Sequence, residues 1–376
     1  MSLHPAQYLL GGQVAVKRQW VSSLLALLFA LPAAAAPLDA LLTATPERSS
    51  PLGFIEVGTD HMNSQLDFFK IKSDDPLTSG TKAGDYRGAH VRGGFRPFDA
   101  AWVSGSLWQR NVSDATDSYD YTSWQLSGQY RFLEASGKLP SLAVRLSAWG
   151  NYAAQTQSNT PVTVPGAILN TVKITEPNDQ QLQADLIGTW QLSPATDVSV
   201  VLGGGSTKLA YGALSATNTL NGCDYNLTFV GNAISGTLAA PCTAGVYLLN
   251  IYDNSGRFGI DVANEIAWRG NFIQAGINTS WRSGPWTLTG GYLFYAVRRE
   301  AVDAILASRS GPVFTRNHNI TLDANYRFTP RLSVFARSQL SSNLFFNEMP
   351  VTYNTSTSGR FGSKYTLFSV GLRADF

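Results

Sequence analysis

The chain has 376 residues, 28 Lys and Arg against 26 Asp and Glu, and 19 Phe, 15 Tyr and 9 Trp beside only 3 Met and 2 Cys. A net charge of +2 over that length gives no support to a nucleic-acid partner, which needs a basic surface. Beyond the N-terminal leader no apolar run approaches the ~18 uninterrupted residues of a membrane-spanning helix, so a helical membrane protein is excluded as well.

The leader comes first. Lys17 and Arg18 precede an apolar run from Trp20 to Pro32, followed by Ala33, Ala34, Ala35 and Ala36. These are the charged, apolar and small-residue regions of a secretory signal, and the apolar run is short of the ~20 residues a spanning helix needs. Cleavage after Ala35 satisfies the small-residue rule and keeps Pro37 off the cut, making 1–35 a signal peptide. Residues 1–13 fit none of this pattern and point to a start nearer Val14 or Val16. The leader carries two of the basic residues and no acidic one, so the mature chain is neutral.

From residue 52 the chain alternates. Side chains of a strand point to opposite faces in turn, and the predicted strands are Gly53–His61, Tyr86–Arg96, Ala101–Arg110, Tyr119–Leu133, Ser141–Tyr152, Gln181–Leu192 and Thr196–Leu209. After a long excursion come Trp268–Arg282, Trp286–Arg298, Asn317–Phe328, Leu332–Ser342 and Lys364–Phe376. The cleanest is Tyr119–Leu133, where Trp124, Leu126, Gly128, Tyr130 and Phe132 alternate with Gln125, Ser127, Gln129 and Arg131. Short links (Pro97-Phe98-Asp99, Gly137-Lys138-Leu139, Ser193-Pro194-Ala195, Ser283-Gly284-Pro285, Thr329-Pro330-Arg331) alternate strictly with long ones. The long ones are His61–Asp85, Asn111–Ser118, Ala153–Gln180, Ala210–Ala267, Arg299–Arg316 and Asn343–Ser363. Twelve strands result; Val246–Tyr252 and Phe258–Ala267 within the excursion are either strands above the membrane or an extra pair making fourteen.

The last strand carries a family likeness. Phe368, Val370, Leu372, Ala374 and Phe376 share one face, Ser369, Gly371, Arg373 and Asp375 the other, and the chain stops on the aromatic. Such an ending resembles the bacterial outer-membrane β-barrel proteins. The resemblance implies an all-β fold: a single antiparallel up-and-down transmembrane barrel of an even number of strands, with short periplasmic turns and long extracellular loops. It also implies periplasmic termini, a short periplasmic segment at 36–51, a barrel over 52–376, and contact with outer-membrane lipid and lipopolysaccharide. Phe376 and Leu372 then belong to the signal read by the barrel-assembly machinery. A soluble β-sandwich also alternates but needs no girdle. Here outward faces end in aromatics beside the short turns, at Phe95, Tyr130, Phe132, Trp190, Trp281, Trp286, Tyr326 and Phe328, where a ring sits half in lipid and half in water.

Function is then a question about the lumen. Inward positions include Arg92, Arg96, Arg110, Arg131, Arg145, Arg282, Arg327, Arg337 and Arg373, opposed by Glu56, Asp60, Asp185, Asp323 and Asp375. A water-filled lumen of this kind favours small polar solutes that are anionic or neutral. Inward charges in a narrow barrel also pair and plug the interior, since filled and open barrels bracket twelve strands. Twelve-stranded barrels with inward arginine tracks include channels for acidic oligosaccharides, a resemblance of architecture. A closed barrel acting through its loops as a surface structural or receptor protein is the alternative.

The excursion 210–267 is the largest irregular element. Leu214–Gly245 is rich in Asn, Thr, Ser, Gly and Ala, and its two cysteines, Cys223 and Cys242, are expected to form a disulfide in an exported protein. It either narrows the mouth or covers the outer face. Enzymatic signals are weak. Outer-membrane phospholipases place His and Ser two residues apart, whereas this chain reads His318-Asn319-Ile320. Pairing about Pro330 sets His318 opposite Ser342, but no third group orients them. The histidines are too scattered for a metal site, and Gly203-Gly204-Gly205 lacks the Lys and Ser/Thr of a phosphate loop, so it reads as a bulge or a close backbone approach. No cofactor, metal or catalytic residue is nominated.

Overall fold

In the computed structural model the described residues are 52–63, 85–114, 117–159, 161–164, 167–242, 248–258, 260–343, 348–355, 357–362 and 364–376. The leader 1–35 and the segment 36–51 lie outside them. Nineteen strands are formed among the described residues. In chain order they are β1 (Gly53–Asn63), β2 (Asp85–Phe98), β3 (Ala101–Asp114), β4 (Asp117–Leu133), β5 (Ser141–Tyr152), β6 (Gln155–Ser158), β7 (Val162–Val164) and β8 (Ala167–Thr175). There follow β9 (Asn178–Ser193), β10 (Thr196–Ala210), β11 (Ala213–Leu220), β12 (Cys223–Val230), β13 (Ala233–Leu238) and β14 (Asn250–Asn254). The chain ends with β15 (Arg269–Ser283), β16 (Trp286–Arg299), β17 (Arg316–Thr329), β18 (Leu332–Ser341) and β19 (Tyr365–Asp375). Two short helices, α1 (Val262–Ile266) and α2 (Val302–Ser308), lie in loops.

Twelve strands close a barrel in the order β1-β19-β18-β17-β16-β15-β10-β9-β5-β4-β3-β2. They are the twelve expected from alternation, and every neighbouring pair is antiparallel. The closure is made by the two terminal strands, with Val57 opposite Leu372 and Gly58 opposite Gly371, and Phe376 donates its N–H to the Gly53 carbonyl. A closed ladder leaves no backbone edge unpaired, which a lipid environment demands.

Polarity is inverted relative to a soluble protein. Ile55, Val57, Val91, Leu126, Leu146, Leu182, Leu202, Ile273, Leu322, Val370 and Leu372 stand outward with no protein over them. Ser106, Ser123, Gln125, Ser127, Gln129, Ser147, Gln183, Gln274, Asn278, Thr321 and Ser369 are buried. Phe95, Tyr130, Phe132, Trp281, Trp286 and Phe328 form the outward aromatic rim beside the short turns. A ring of apolar side chains around a polar interior is the burial pattern lipid imposes. No described helix is long and apolar enough to cross a membrane; the crossing elements are strands.

At the short-turn end, Gly284 holds φ +55°, the left-handed conformation glycine adopts without strain, and so turns β15 into β16. Gly203 and Gly205 mark close approach rather than a bulge. A Cβ at Gly203 would lie 1.9 Å from Asp185 Oδ1, and one at Gly205 2.0 Å from the Leu182 carbonyl, while the register of β10 is regular there.

The long-loop end departs from expectation. The predicted loop Asn111–Ser118 is mostly strand: β3 and β4 run on and pair Asp114 with Asp117, leaving a connection of residues 115–116. Above the lipid an outward face no longer needs apolar residues, so a polar stretch continues the ladder unnoticed. The described residues of the connection 153–177 and of the excursion also form strands. Together they build a second sheet, β14-β13-β12-β11-β8-β6, with β7 paired to β8. In the excursion, β14 takes up part of Val246–Tyr252, and α1 lies within Phe258–Ala267. The barrel therefore has twelve strands, not fourteen. Leu214, Tyr225, Leu227 and Phe229 of the second sheet pack against Val262 of α1, and Cys223 and Cys242 are bonded with Cα atoms 5.5 Å apart. Closing a 19-residue span of this kind stabilises a fold by roughly 3 kcal/mol in the chain-entropy account.

Candidate functional site

The lumen is the candidate site, and strand alternation aims its residues inward. In the short-turn half, Arg373 donates to Asp375 at 3.0 Å and lies 4.0 Å from the centre of the Phe54 ring, with Arg92 5.8 Å from the same ring. Arg131 meets Glu134 at 2.9 Å, Arg96 meets Asp99 at 3.8 Å, and Arg282 is paired with Asp197. These guanidiniums keep contact with solvent, with side-chain exposures of 30% for Arg96, 18% for Arg131 and 36% for Arg282. Arg327 stands exposed at the same rim.

Further in, the charges are buried and linked. Arg337 donates to Asp323 at 2.7 Å and to Glu56 at 3.2 Å. His90 lies 3.4 Å from Glu56 and 3.0 Å from Asp60, and Asp60 also accepts from Ser369. On the other wall Asp185 accepts from Gln183 and Gln274 at 2.8 Å and stands 3.8 Å from Arg145, which donates to Ser147 at 3.0 Å. Beside that group Ala143, Ile187, Val201 and Leu293 form a small apolar cluster.

The long-loop end of the bore is crossed by the segment between β18 and β19. It starts from those strands, and its turn at Pro350–Thr352 packs on β5, β9 and β10, which stand opposite in the barrel order. Val351 N–H donates to Asp179 at 2.9 Å, Asn151 donates to the Glu348 carbonyl at 2.9 Å, and Gln339 donates to the Glu348 carboxylate. Tyr353 accepts the Trp268 indole N–H on its carbonyl at 2.8 Å and receives the Arg299 guanidinium 3.7 Å over its ring. Tyr353 and Phe361 are buried with Trp108, Trp149 and Phe272 of the wall, and Met349 with Met62, Tyr86 and Tyr365. The excursion 210–267 contributes β11–β14 to the second sheet and, through α1, meets the neighbouring loops.

Glu265 of α1 ties three loops. It accepts from Arg309 at 2.8 and 2.5 Å, from Thr355 at 2.7 Å and from Asp261 N–H at 2.7 Å. Burial pushes its carboxyl up, but the hydrogen bonds from Arg309 and Thr355 outweigh that, and its pKa lies below the usual carboxylate value.

The structure pairs most of the nominated charges with a neighbouring carboxylate. Three partners lie outside the nominated set, Asp197, Asp99 and Glu134, and they remove much of the basic excess. The hub at His90 also escaped nomination. Its signal was present, since antiparallel neighbours β1 and β2 both carry inward titratable groups, but register is needed to bring them together. The pairing of His318 with Ser342 forms no catalytic contact. The imidazole Nδ1 bonds Tyr292 OH at 2.8 Å, and the Ser342 hydroxyl donates to Asn317 at 2.9 Å. Ser342 follows the end of β18, so alternation no longer sets its direction.

No family model and no curated protein matches the chain. Among solved structures it is similar to the translocator domain of autotransporter NalP from Neisseria meningitidis, 11% identical, TM-score 0.44, over 96% of this chain and 95% of that one. It is also similar to the CymD monoaromatic hydrocarbon channel, 11% identical, TM-score 0.37, over 92% and 95% of the two chains. A third likeness is to the NanC porin, 6% identical, TM-score 0.38, over 86% and 100%. The likeness is one of fold. With its closed ring of twelve strands, outward apolar belt and polar interior, this is a β-barrel of the bacterial outer-membrane type. In that barrel the lumen offers two chemistries: an arginine-lined vestibule at the short-turn end and a charge-paired, aromatic-capped interior beyond it.

Proposed function

We infer that this outer-membrane barrel is a narrow channel for passive diffusion of small polar solutes, anionic or neutral, entering or leaving through the arginine vestibule. The short turns and both termini face the periplasm in this reading, and the leader 1–35 exports the chain. The carrying observation is the part-exposed set Arg96, Arg131 and Arg282, where lumen charge meets water and sets ion preference. Because Arg96, Arg131 and Arg282 each have a carboxylate neighbour, as do Arg145, Arg337 and Arg373 further along, that preference is modest. Replacing Arg96 and Arg131 by Gln should move the zero-current potential in a salt gradient toward the cation side. An unchanged potential in the double variant contradicts the reading.

The folded sheet of β6–β8 and β11–β14 favours a second reading, a surface structural or receptor role through the loops. Deleting Leu214–Gly245, which removes both cysteines, should leave the barrel folded and abolish partner binding; loss of barrel folding counts against that role.

A further inference from the structure

Four outward cations stand at one level on four successive strands of the barrel wall. Lys208 on β10, Arg269 on β15, Arg298 on β16 and Arg316 on β17 are all exposed, and these strands are neighbours in the ring. Lys208 and Arg269 lie directly opposite each other in register. Arg298, paired with Asn271, is diagonal to Arg269, and Arg316, paired with Ala296, is diagonal to Arg298. Among the described residues none of the four forms an ion pair. Arg299, the inward neighbour of Arg298, is by contrast buried and bonded to Asp303 at 3.1 Å. Glu300, whose N–H donates to the Arg269 carbonyl, is the acidic residue at the end of this stretch.

The aromatic rim fixes the level of these charges. Arg269, Arg298 and Arg316 lie twelve positions along their strands from Trp281, Trp286 and Phe328, and Lys208 lies twelve from Thr196, which pairs with Trp281. A tilted strand crosses the hydrocarbon in about 9–11 residues, so the four charges sit just beyond it, at the headgroups of the leaflet on the long-loop side. Between rim and charges the same strands present Leu202, Ile273, Ile277 and Leu322 to acyl chains. The patch is one-sided: twelve positions from Phe132 and Trp190, β4 and β9 carry Asp120 and Asn178. Like charges opposed on a sheet repel, and an anion set among them removes that cost. Four cations against one carboxylate leave three positive charges to match. A phosphodiester lipid brings one negative charge, whereas two phosphomonoesters bring about three to four. We propose that Lys208, Arg269, Arg298 and Arg316 bind the headgroup of a lipid carrying two phosphomonoesters in the outer leaflet, its acyl chains lying on the apolar wall below. This rests on the orientation taken with the channel reading, short turns to the periplasm, and not on conduction.

The test is native mass spectrometry of the refolded full chain in detergent, titrated with diphosphoryl lipid A, monophosphoryl lipid A or phosphatidylglycerol. Binding of the diphosphoryl lipid is expected to be about tenfold tighter than that of either other lipid. Arg298→Gln with Arg316→Gln should weaken it about tenfold. Lys208→Gln with Arg269→Gln should do the same, which keeps the test decisive if one pair fails to fold. His61→Gln with Arg87→Gln, an outward basic pair on β1 and β2, should leave it unchanged. Equal binding of all three lipids, wild-type affinity in both patch variants, or the same loss in the variant of His61 and Arg87 overturns the site. Orientation is read separately, with a peptide tag inserted at Gly231 in the turn between β12 and β13 and antibody on intact cells. A tag the antibody cannot reach overturns the orientation and the leaflet with it; a reached tag without the lipid preference overturns the site alone.

Discussion

Arg337 illustrates what an inward charge does in a narrow barrel. Its guanidinium joins Asp323 on β17 to Glu56 on β1, and Glu56 and Asp60 both reach His90. Removing one member of a buried ion pair strands the others, at a cost of about 3–5 kcal/mol. Arg337→Ala should therefore destabilise the barrel by about that amount, read as a lower urea midpoint. Exposed pairs such as Arg131 with Glu134 contribute less than about 1 kcal/mol, so Arg131→Gln should leave the midpoint nearly unchanged. A stable Arg337→Ala protein contradicts the buried network. Alternation alone made the direction of each of these side chains legible. It did not show which charge meets which, because pairing depends on register across strands far apart in sequence, as with Glu56 and Arg337.

At the scale of elements, the loops hold more order than their composition suggests. Cys223, Tyr225, Leu227 and Phe229 alternate with Asp224, Asn226, Thr228 and Val230, a strand signal plain in the residues but diluted by the Ser, Thr, Asn and Gly around it. The crossing of the bore by 348–362 was illegible for a different reason. Met349, Tyr353 and Phe361 look like ordinary loop apolar residues until Trp268, Arg299 and Asp179 converge on the same place. Glu265 makes this arrangement pH-dependent. Its folded pKa lies below the unfolded one, so its contribution is present above the unfolded value and is lost as pH falls through the folded one. Hydrogen exchange of residues 348–355 should therefore quicken in acid below the ordinary carboxylate range, and Glu265→Gln should abolish that acid step while leaving exchange in the barrel strands unchanged. An acid step that persists in Glu265→Gln would assign it to another group.

The whole molecule is a barrel turned inside out, with leucine and valine toward lipid and glutamine, serine and arginine toward the bore. All twelve barrel strands, and the alternation of short and long connections apart from 111–118, were legible because lipid enforces a strict period of two. The state of the bore was not, since twelve strands leave an interior that loops can either fill or vacate. In the present conformation the segment anchored by Tyr353 spans the long-loop end. A conducting polar lumen with that segment across its mouth is open to single-channel recording of the refolded protein in a planar bilayer under a salt gradient. Small discrete steps with an anion-favouring reversal potential are expected, and larger steps in Tyr353→Ala. Correctly folded barrels that stay silent in both forms would contradict it.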